Sequence, residues 1–274
     1  MMFKIVASDL DGTLLTPSHQ IAPYTRSILQ KLHNSGRQFV FATGRHHIDV
    51  MNFQAQLGIP SYMITANGAC VHSPDHQLLY QQDLDPDVVS AAINATKHET
   101  NLKIHIYREN DWLLDREDPT LKNVHDGQFT YQIFDVEQPP LLGIAKLFFT
   151  IDDLDHEKLV IWEDKFKQAF GDRANIAFST PWCLEIMNKN VSKGDALAMV
   201  AHHLNATLDD CIAFGDGMND VELLSMAGKG LIMSTAHDKV KRALPDHEII
   251  GGCDQESVAH YLEDHLLQIT NFDR

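Results

Sequence analysis

The run Phe3-Lys4-Ile5-Val6-Ala7-Ser8-Asp9-Leu10-Asp11-Gly12-Thr13 decides how the rest of the chain is read. Its first half has the apolar character of a buried strand in a parallel sheet, and its second half opens abruptly on a carboxylate. An extended backbone points residues two apart to the same side, so Asp9 and Asp11 can address one reacting group. They would do so at the carboxyl end of the strand, where open α/β sheets place ligands. Gly12 lets the chain turn away. One carboxylate of such a pair can attack phosphorus, while the other protonates the leaving oxygen and later activates water. On these residues alone, a plain turn after a strand is the competing reading.

Working outward, Phe39 to Ala42, Tyr62 to Thr65, Cys211 to Phe214 and Gly230 to Met233 repeat the pattern of an apolar run followed by a polar or Gly-containing turn. Between them, Thr25 to Asn34 and His47 to Leu57 carry helical apolar spacing and stop at Gly36 and Gly58. Ser192 to Leu204 and Asp220 to Ala227 read as helices in the same way. The alternation predicts an α/β fold with a doubly wound, Rossmann-like parallel-sheet core. The segment 85–190 breaks the alternation. It begins with a helical pattern at Pro86 to His98, and paired strands at Lys103 to Tyr107 and Trp112 to Asp115 follow, joined by a turn. Ala145 to Ile151, a helix from about His156 to Phe170, and strands at Asn175 to Ser179 and Cys183 to Met187 complete it. The expected organisation is therefore a core built from 1–84 and 191–274, with 85–190 as an inserted α+β domain.

Composition narrows the function. At 274 residues the chain is long enough for two domains, and 44% hydrophobic with 22% charged residues is an ordinary globular balance. No apolar run approaches the roughly 20 residues that span a bilayer, and the N-terminus reaches Asp9 too early for a secretory segment. The expectation is a cytoplasmic protein. Cys70, Cys183, Cys211 and Cys253 are scattered without metal-finger spacing, which suits a reducing compartment. The net charge of −16 argues against nucleic acid or an anionic membrane as partner, so local cations must attract any anionic ligand. His46-His47 reads as solvated imidazoles before it reads as a metal site.

A second acidic loop, Gly215-Asp216-Gly217-Met218-Asn219-Asp220, follows the strand Cys211 to Phe214. Mg2+ takes one or two carboxylates, waters and a substrate phosphate, so Asp9 and Asp216 with the Asp11 carbonyl make a plausible site. Asp220, opening the next helix, would orient Asn219 or a metal-bound water. Read alone, the loop also admits a calcium-style interpretation. Ala42-Thr43-Gly44-Arg45 offers a hydroxyl, an open amide and a helix N-terminus to phosphate oxygens. In Val191-Ser192-Lys193-Gly194-Asp195, Ser192 reads as an N-cap that fixes Lys193, whose ammonium can neutralise a transferring phosphoryl group.

These motifs together resemble the haloacid dehalogenase superfamily of phosphatases over essentially the whole chain, Asp9 and Asp11 matching the first motif, Thr43 the second, Lys193 the third, and Asp216, Asn219 and Asp220 the fourth. A chance match to the four fixed letters of Asp-x-Asp-Gly-Thr has a probability of about 1 in 160,000 per position. The insertion lies between the second and third motifs, as in the Cof-type subfamily with its C2-type cap. The resemblance implies an aspartyl-phosphate intermediate on Asp9, Mg2+ as cofactor, and phosphate binding by Leu10, Thr43, Gly44, Lys193 and Asn219. Arg45, Asn67 and Gly68 are candidate substrate contacts, and the partner is a small phosphorylated metabolite. The segments around Phe41 to His47 and Ser61 to Ala69 are similar to those of a Cof-type member that hydrolyses pyridoxal phosphate. Two other functions fit the same residues, a phosphomutase of the phosphomannomutase type and a non-catalytic phosphoacceptor. The sequence does not fix an oligomeric state.

Overall fold

The computed structural model describes residues 3–121, 129–151, 153 and 155–267. In chain order the first elements are β1 (Ile5–Ser8), α1 (Pro23–Asn34), β2 (Gln38–Ala42), α2 (His47–Leu57), β3 (Ser61–Thr65), β4 (Cys70–His72) and β5 (Leu78–Gln81). Next come α3 (Pro86–Thr96), β6 (Leu102–Arg108), β7 (Asp111–Leu114), β8 (Gln132–Ile133), β9 (Ile144–Ile151), α4 (His156–Phe170), β10 (Ala174–Thr180) and β11 (Cys183–Asn188). The chain continues through α5 (Lys193–His203), β12 (Cys211–Gly215), α6 (Val221–Met226), β13 (Lys229–Met233), α7 (Asp238–Ala243), β14 (Glu248–Ile250) and α8 (Ser257–Leu262). Two compact units result, one from Met1–Leu79 with Ser192–Arg274 and the other from Tyr80–Val191.

The discontinuous unit holds an eight-stranded sheet of order β14-β13-β12-β1-β2-β3-β4-β5. β1 sits in its interior, parallel to both β12 and β2, with Ile5 opposite Cys211 on one side and Gln38 on the other. Strands buried on both faces explain the continuous apolar runs of the sequence. On one face Val6, Phe41, Met63 and Phe214 pack with Ile28 and Leu29 of α1 and Val258 and Leu262 of α8. Fully burying a side chain of this size stabilises by about 1.5–3 kcal/mol. The sheet stops being parallel at β4, which runs antiparallel to β3 with Met63 opposite His72. Only four residues separate these strands, too few for the crossover that parallel pairing needs.

Local chemistry sets the helix ends. Pro23 occupies the first turn of α1, and Gly58 ends α2 in the left-handed conformation with its N–H on the Gln54 carbonyl. The Ser192 hydroxyl accepts from the Asp195 amide at 3.0 Å, so α5 starts where the sequence places its cap.

The continuous unit is a six-stranded sheet of order β10-β11-β9-β6-β7-β8, antiparallel except between β7 and β8. Leu102, Ile104, Ile106, Phe149 and Ile186 meet Val89 and Ile93 of α3 and Leu159 and Phe166 of α4. Period-two alternation sends His105, Tyr107, Lys146, Phe148 and Glu185 to the opposite face. There Lys146 pairs with Glu185 at 2.7 Å, and its ammonium lies over Tyr107 and Phe148. His105 stacks on Phe148, receives the Trp112 indole N–H at 3.2 Å, and bonds Thr150 Oγ1 through Nε2 at 2.8 Å. The Asn188 side chain donates to the Asp83 carbonyl at 2.9 Å across 105 residues. Among the described residues no helix is long and apolar enough to cross a membrane.

Candidate active site

All the site residues lie in the discontinuous unit, where the carboxyl ends of β12, β1, β2 and β3 stand side by side. The Asp9 amide continues the ladder by donating to the Phe214 carbonyl at 3.0 Å, which fixes the first acidic residue beside the end of β12. Gly12 then turns at φ +80°, and a Cβ there would sit 2.8 Å from the Asp216 carboxyl carbon. Glycine is required twice over, by conformation and by close approach. Thr13 donates from Oγ1 to Asp216 Oδ1 at 2.6 Å, aiming that carboxylate at the β1 loop.

Lys193 is fully buried and spans two carboxylates, Asp9 Oδ1 at 2.8 Å and Asp220 Oδ1 at 2.6 Å. Asp220, equally buried, accepts on its other oxygen from the Asp216 and Gly217 amides at 3.0 and 2.8 Å. It therefore holds both the lysine and the loop that carries Asp216. Carboxylate oxygens of Asp9, Asp216 and Asp220 lie within 4.8 Å of one another.

Charge in this cluster is unbalanced. Burial pushes Asp9 well above the usual carboxylate range, and Asp220, Asp216 and Asp11 add to the rise against the opposing pull of Lys193. Burial and the Asp220 charge push Asp216 up to about 6. Burial disfavours a charged Lys193, but Asp220 and Asp9 outweigh it and keep the ammonium protonated. One cation facing two buried carboxylates and the half-buried Asp216 leaves an excess of hard oxygen donors, and this fits a divalent cation. Asp216 has a free oxygen for it, and Asp9 Oδ1 has a second lone pair beside the one that accepts from Lys193. Asp220 has both of its oxygens already engaged.

The β2 and β3 ends supply the neutral donors. Thr43 Oγ1 accepts from the Arg45 amide at 3.2 Å, which leaves its own proton to donate. Ala66, Asn67 and Gly68 all adopt positive φ, so the chain doubles back over Thr43: Ala66 N–H donates to the Arg45 carbonyl and Asn67 N–H to the Thr43 carbonyl, each at 3.0 Å. The buried Asn67 side chain accepts from Asn219 Nδ2 at 3.0 Å and crowds Gly44, where a Cβ would lie 2.8 Å from its oxygen. Gly68 abuts the Ser192 carbonyl, and this close approach accounts for glycine there. Leu10 is wholly buried in the β1 loop.

Arg45 does something the sequence did not disclose. Its Nε and Nη2 both reach Asp11, at 2.6 Å each, and its Nη1 reaches the buried Asp49 at 2.6 Å. The guanidinium also lies 5.2 Å over the Phe53 ring, and His19 adds a bond to Asp11 Oδ1 at 3.1 Å. Burial would raise the Asp11 carboxyl, but the Arg45 fork outweighs it and holds the group below its ordinary value. Thr13 and Asp49 were missed as site residues. The i,i+4 spacing of Arg45 and Asp49 was the available signal for one, and the motif position of Thr13 for the other.

Comparison with known proteins agrees with this architecture. Residues 6–262 match the family described as haloacid dehalogenase-like hydrolase. An HMP-PP phosphatase of Cronobacter sakazakii is 38% identical over 262 residues, covering 95% of each chain. One of Yersinia pestis is 39% identical over 262 residues, covering 95% of this chain and 94% of that one. A haloacid dehalogenase-like hydrolase from B. subtilis superposes with a TM-score of 0.85 at 25% identity, covering 96% of this chain and all of the other. With its acidic strand ends, its buried lysine and a match over nearly its full length, the chain belongs to the haloacid dehalogenase-like hydrolase family.

Proposed function

We propose that the chain is a Mg2+-dependent phosphatase that uses Asp9 as nucleophile on a small soluble phosphomonoester or phosphoanhydride. The observation that carries the reading is Lys193, buried between Asp9 and Asp220 beside Asp216. Lys193 holds Asp9 Oδ1 and leaves Oδ2 as the attacking atom. That oxygen bonds to phosphorus, the bond to the leaving oxygen breaks, and Asp11 supplies the proton where the leaving group needs one. Water then attacks the aspartyl phosphate, with Asp11 accepting the proton, and Asp9 and inorganic phosphate are released. The Thr43 hydroxyl, the Leu10 and Gly44 amides, Lys193 and Asn219 stabilise phosphoryl oxygens. Asp9, Asp216 and the Asp11 carbonyl would hold the metal, which neutralises charge so that anion can meet anion.

The relatives named HMP-PP phosphatase make HMP-PP the first substrate to test. Pyridoxal phosphate is the second, on the resemblance of Phe41 to His47 and Ser61 to Ala69. The unit inserted at 85–190 would select the leaving group and shield the aspartyl phosphate from premature water. The test is phosphate release from a panel containing both compounds and several sugar phosphates, ranked by kcat/KM, with Asp9→Asn as control. The wild type should turn over many times without a bisphosphate activator and the variant should be inactive. A single phosphate per chain would mean a phosphoacceptor, transfer back to the sugar would mean a mutase, and an Asp9→Asn rate within tenfold of wild type would remove Asp9 as nucleophile.

A further inference from the structure

We propose that Arg45 is an anion fork whose occupant changes, gripping Asp11 at rest and an anionic group on the leaving side of the substrate during turnover. The chain thereby favours substrates whose leaving group is itself charged, such as an alkyl phosphate leaving a diphosphate. The proposal rests on the phosphatase reading and adds the chemical class that Arg45 selects.

The geometry separates the fixed part of Arg45 from the exchangeable part. Its backbone is pinned by the amide bond to Thr43 Oγ1 and by the Ala66 N–H on its carbonyl. Its Nη1 is held by Asp49, whose side chain is 7% exposed, and its plane is set over Phe53. The remaining Nε/Nη2 edge is a planar donor pair that matches a carboxylate or a phosphate equally well. Asp11 occupies that edge with both oxygens, yet its side chain is 43% exposed and follows the same loop as Gly12 at φ +80°. Rotation of Asp11 frees the edge at the cost of its bond with His19, while Asp49, Phe53 and the backbone contacts still hold Arg45.

Asp11 cannot deliver a proton to a leaving oxygen while both of its own oxygens lie on the guanidinium. Something must displace it, and an arriving anion does so at least cost because it replaces one charge-assisted bidentate pair by another. A neutral leaving group offers Arg45 no such replacement. Asp11 and Arg45 then part against an uncompensated loss, so neutral leaving groups bind and react less well.

The experiment uses the full chain with magnesium present and reads binding by calorimetry. Methylenediphosphonate and methylphosphonate serve as probes, since neither is hydrolysed at its P–C bonds by this chemistry. Wild type should prefer the diphosphonate, and Arg45→Gln should lower the affinity ratio at least tenfold. Arg45→Lys, which keeps the charge but lacks the planar edge, should also lose most of the preference. Asp11→Asn, which loosens the clasp, should bind the diphosphonate several-fold more tightly. Circular dichroism of each variant verifies folding. No preference in wild type, or an Arg45→Gln ratio within twofold of wild type, or unchanged diphosphonate affinity in Asp11→Asn, would overturn the proposal. Phosphate release from p-nitrophenyl phosphate, measured in parallel on wild type, tests the phosphatase reading by itself.

Discussion

Replacing Lys193 by Met isolates the charge at the centre of the site. The side chains are of similar length, so the loss is chiefly the ammonium that lies 2.8 Å from Asp9 and 2.6 Å from Asp220. Two buried carboxylates are left without their cation, and removing one member of a buried ion pair costs about 3–5 kcal/mol. In the proposed reaction a preorganised charge at the phosphoryl group is lost as well, so kcat should fall about 10²–10³-fold or more. Urea unfolding can locate the damage, because Trp112, Trp162 and Trp182 all belong to the Tyr80–Val191 unit. Far-UV circular dichroism reports both units, whereas tryptophan fluorescence reports the continuous one. With an m-value of about 2 kcal/mol/M, the dichroism transition of the discontinuous unit should move down by about 2 M, and the fluorescence midpoint should move less. Adding Asp220→Asn to Lys193→Met keeps an oxygen for the Asp216 and Gly217 amides while removing the excess charge. It should restore about 1–3 kcal/mol relative to additivity. A shift below about 0.5 M in Lys193→Met, or strict additivity in the double variant, would refute the view that this lysine offsets both carboxylates.

Gly12→Ala places a Cβ 2.8 Å from the Asp216 carboxyl carbon at φ +80°, so activity should fall at least tenfold, with stability lost by about 1–2 kcal/mol from the left-handed backbone; wild-type kcat/KM would show that Asp216 can shift freely. Burial pushes His105 down to about 3, below its unfolded value of about 6.5, so the unfolded state takes up the proton first. The continuous unit should therefore keep this stabilisation above about pH 6.5 and lose about 1.4 kcal/mol per pH unit as the pH falls towards 4.5. His105→Phe should flatten the fluorescence-detected slope, and an unchanged slope would show that His105 is not held neutral. Replacing 85–190 by a Gly/Ser linker should leave a folded unit that hydrolyses an activated aryl phosphate weakly but no longer separates natural substrates; unchanged kcat/KM ratios would place selectivity elsewhere.

The strands that carry the site were legible because parallel strands covered on both faces cannot alternate, and Phe39 to Ala42 and Cys211 to Phe214 stand out as unbroken apolar runs. β4 and β14 escaped for the opposite reason. Each has three residues, and Glu248 and Ile249 of β14 are exposed, so neither length nor polarity marks them. Motif spacing led to Asp9, Lys193 and Asp216, but it did not reveal that Asp220 would be divided between Lys193 and two loop amides. Nor did it reveal that Asp11 would rest on Arg45, 34 residues away. Such pairings follow from which strand ends become neighbours, and a single sequence records that only indirectly.

The hydrogen bond from Asn188 to the Asp83 carbonyl bears on how the protein is made. β1 needs β12 as a partner, and Asp9 needs Lys193, yet a ribosome delivers these residues long after Asp9 has emerged. The Tyr80–Val191 unit is contiguous and can fold first during synthesis, as domains generally do. Once it has, its own contacts hold positions 83 and 188 together, and a 105-residue interruption acts as a tether of a few residues. Each doubling of a loop costs about 0.6 kcal/mol in closure entropy, so this shortening spares the later half of the sheet roughly 3 kcal/mol when it joins the earlier half. Mutations that loosen the inserted unit should therefore slow the appearance of active enzyme on refolding even where they leave the chemistry at Asp9 untouched.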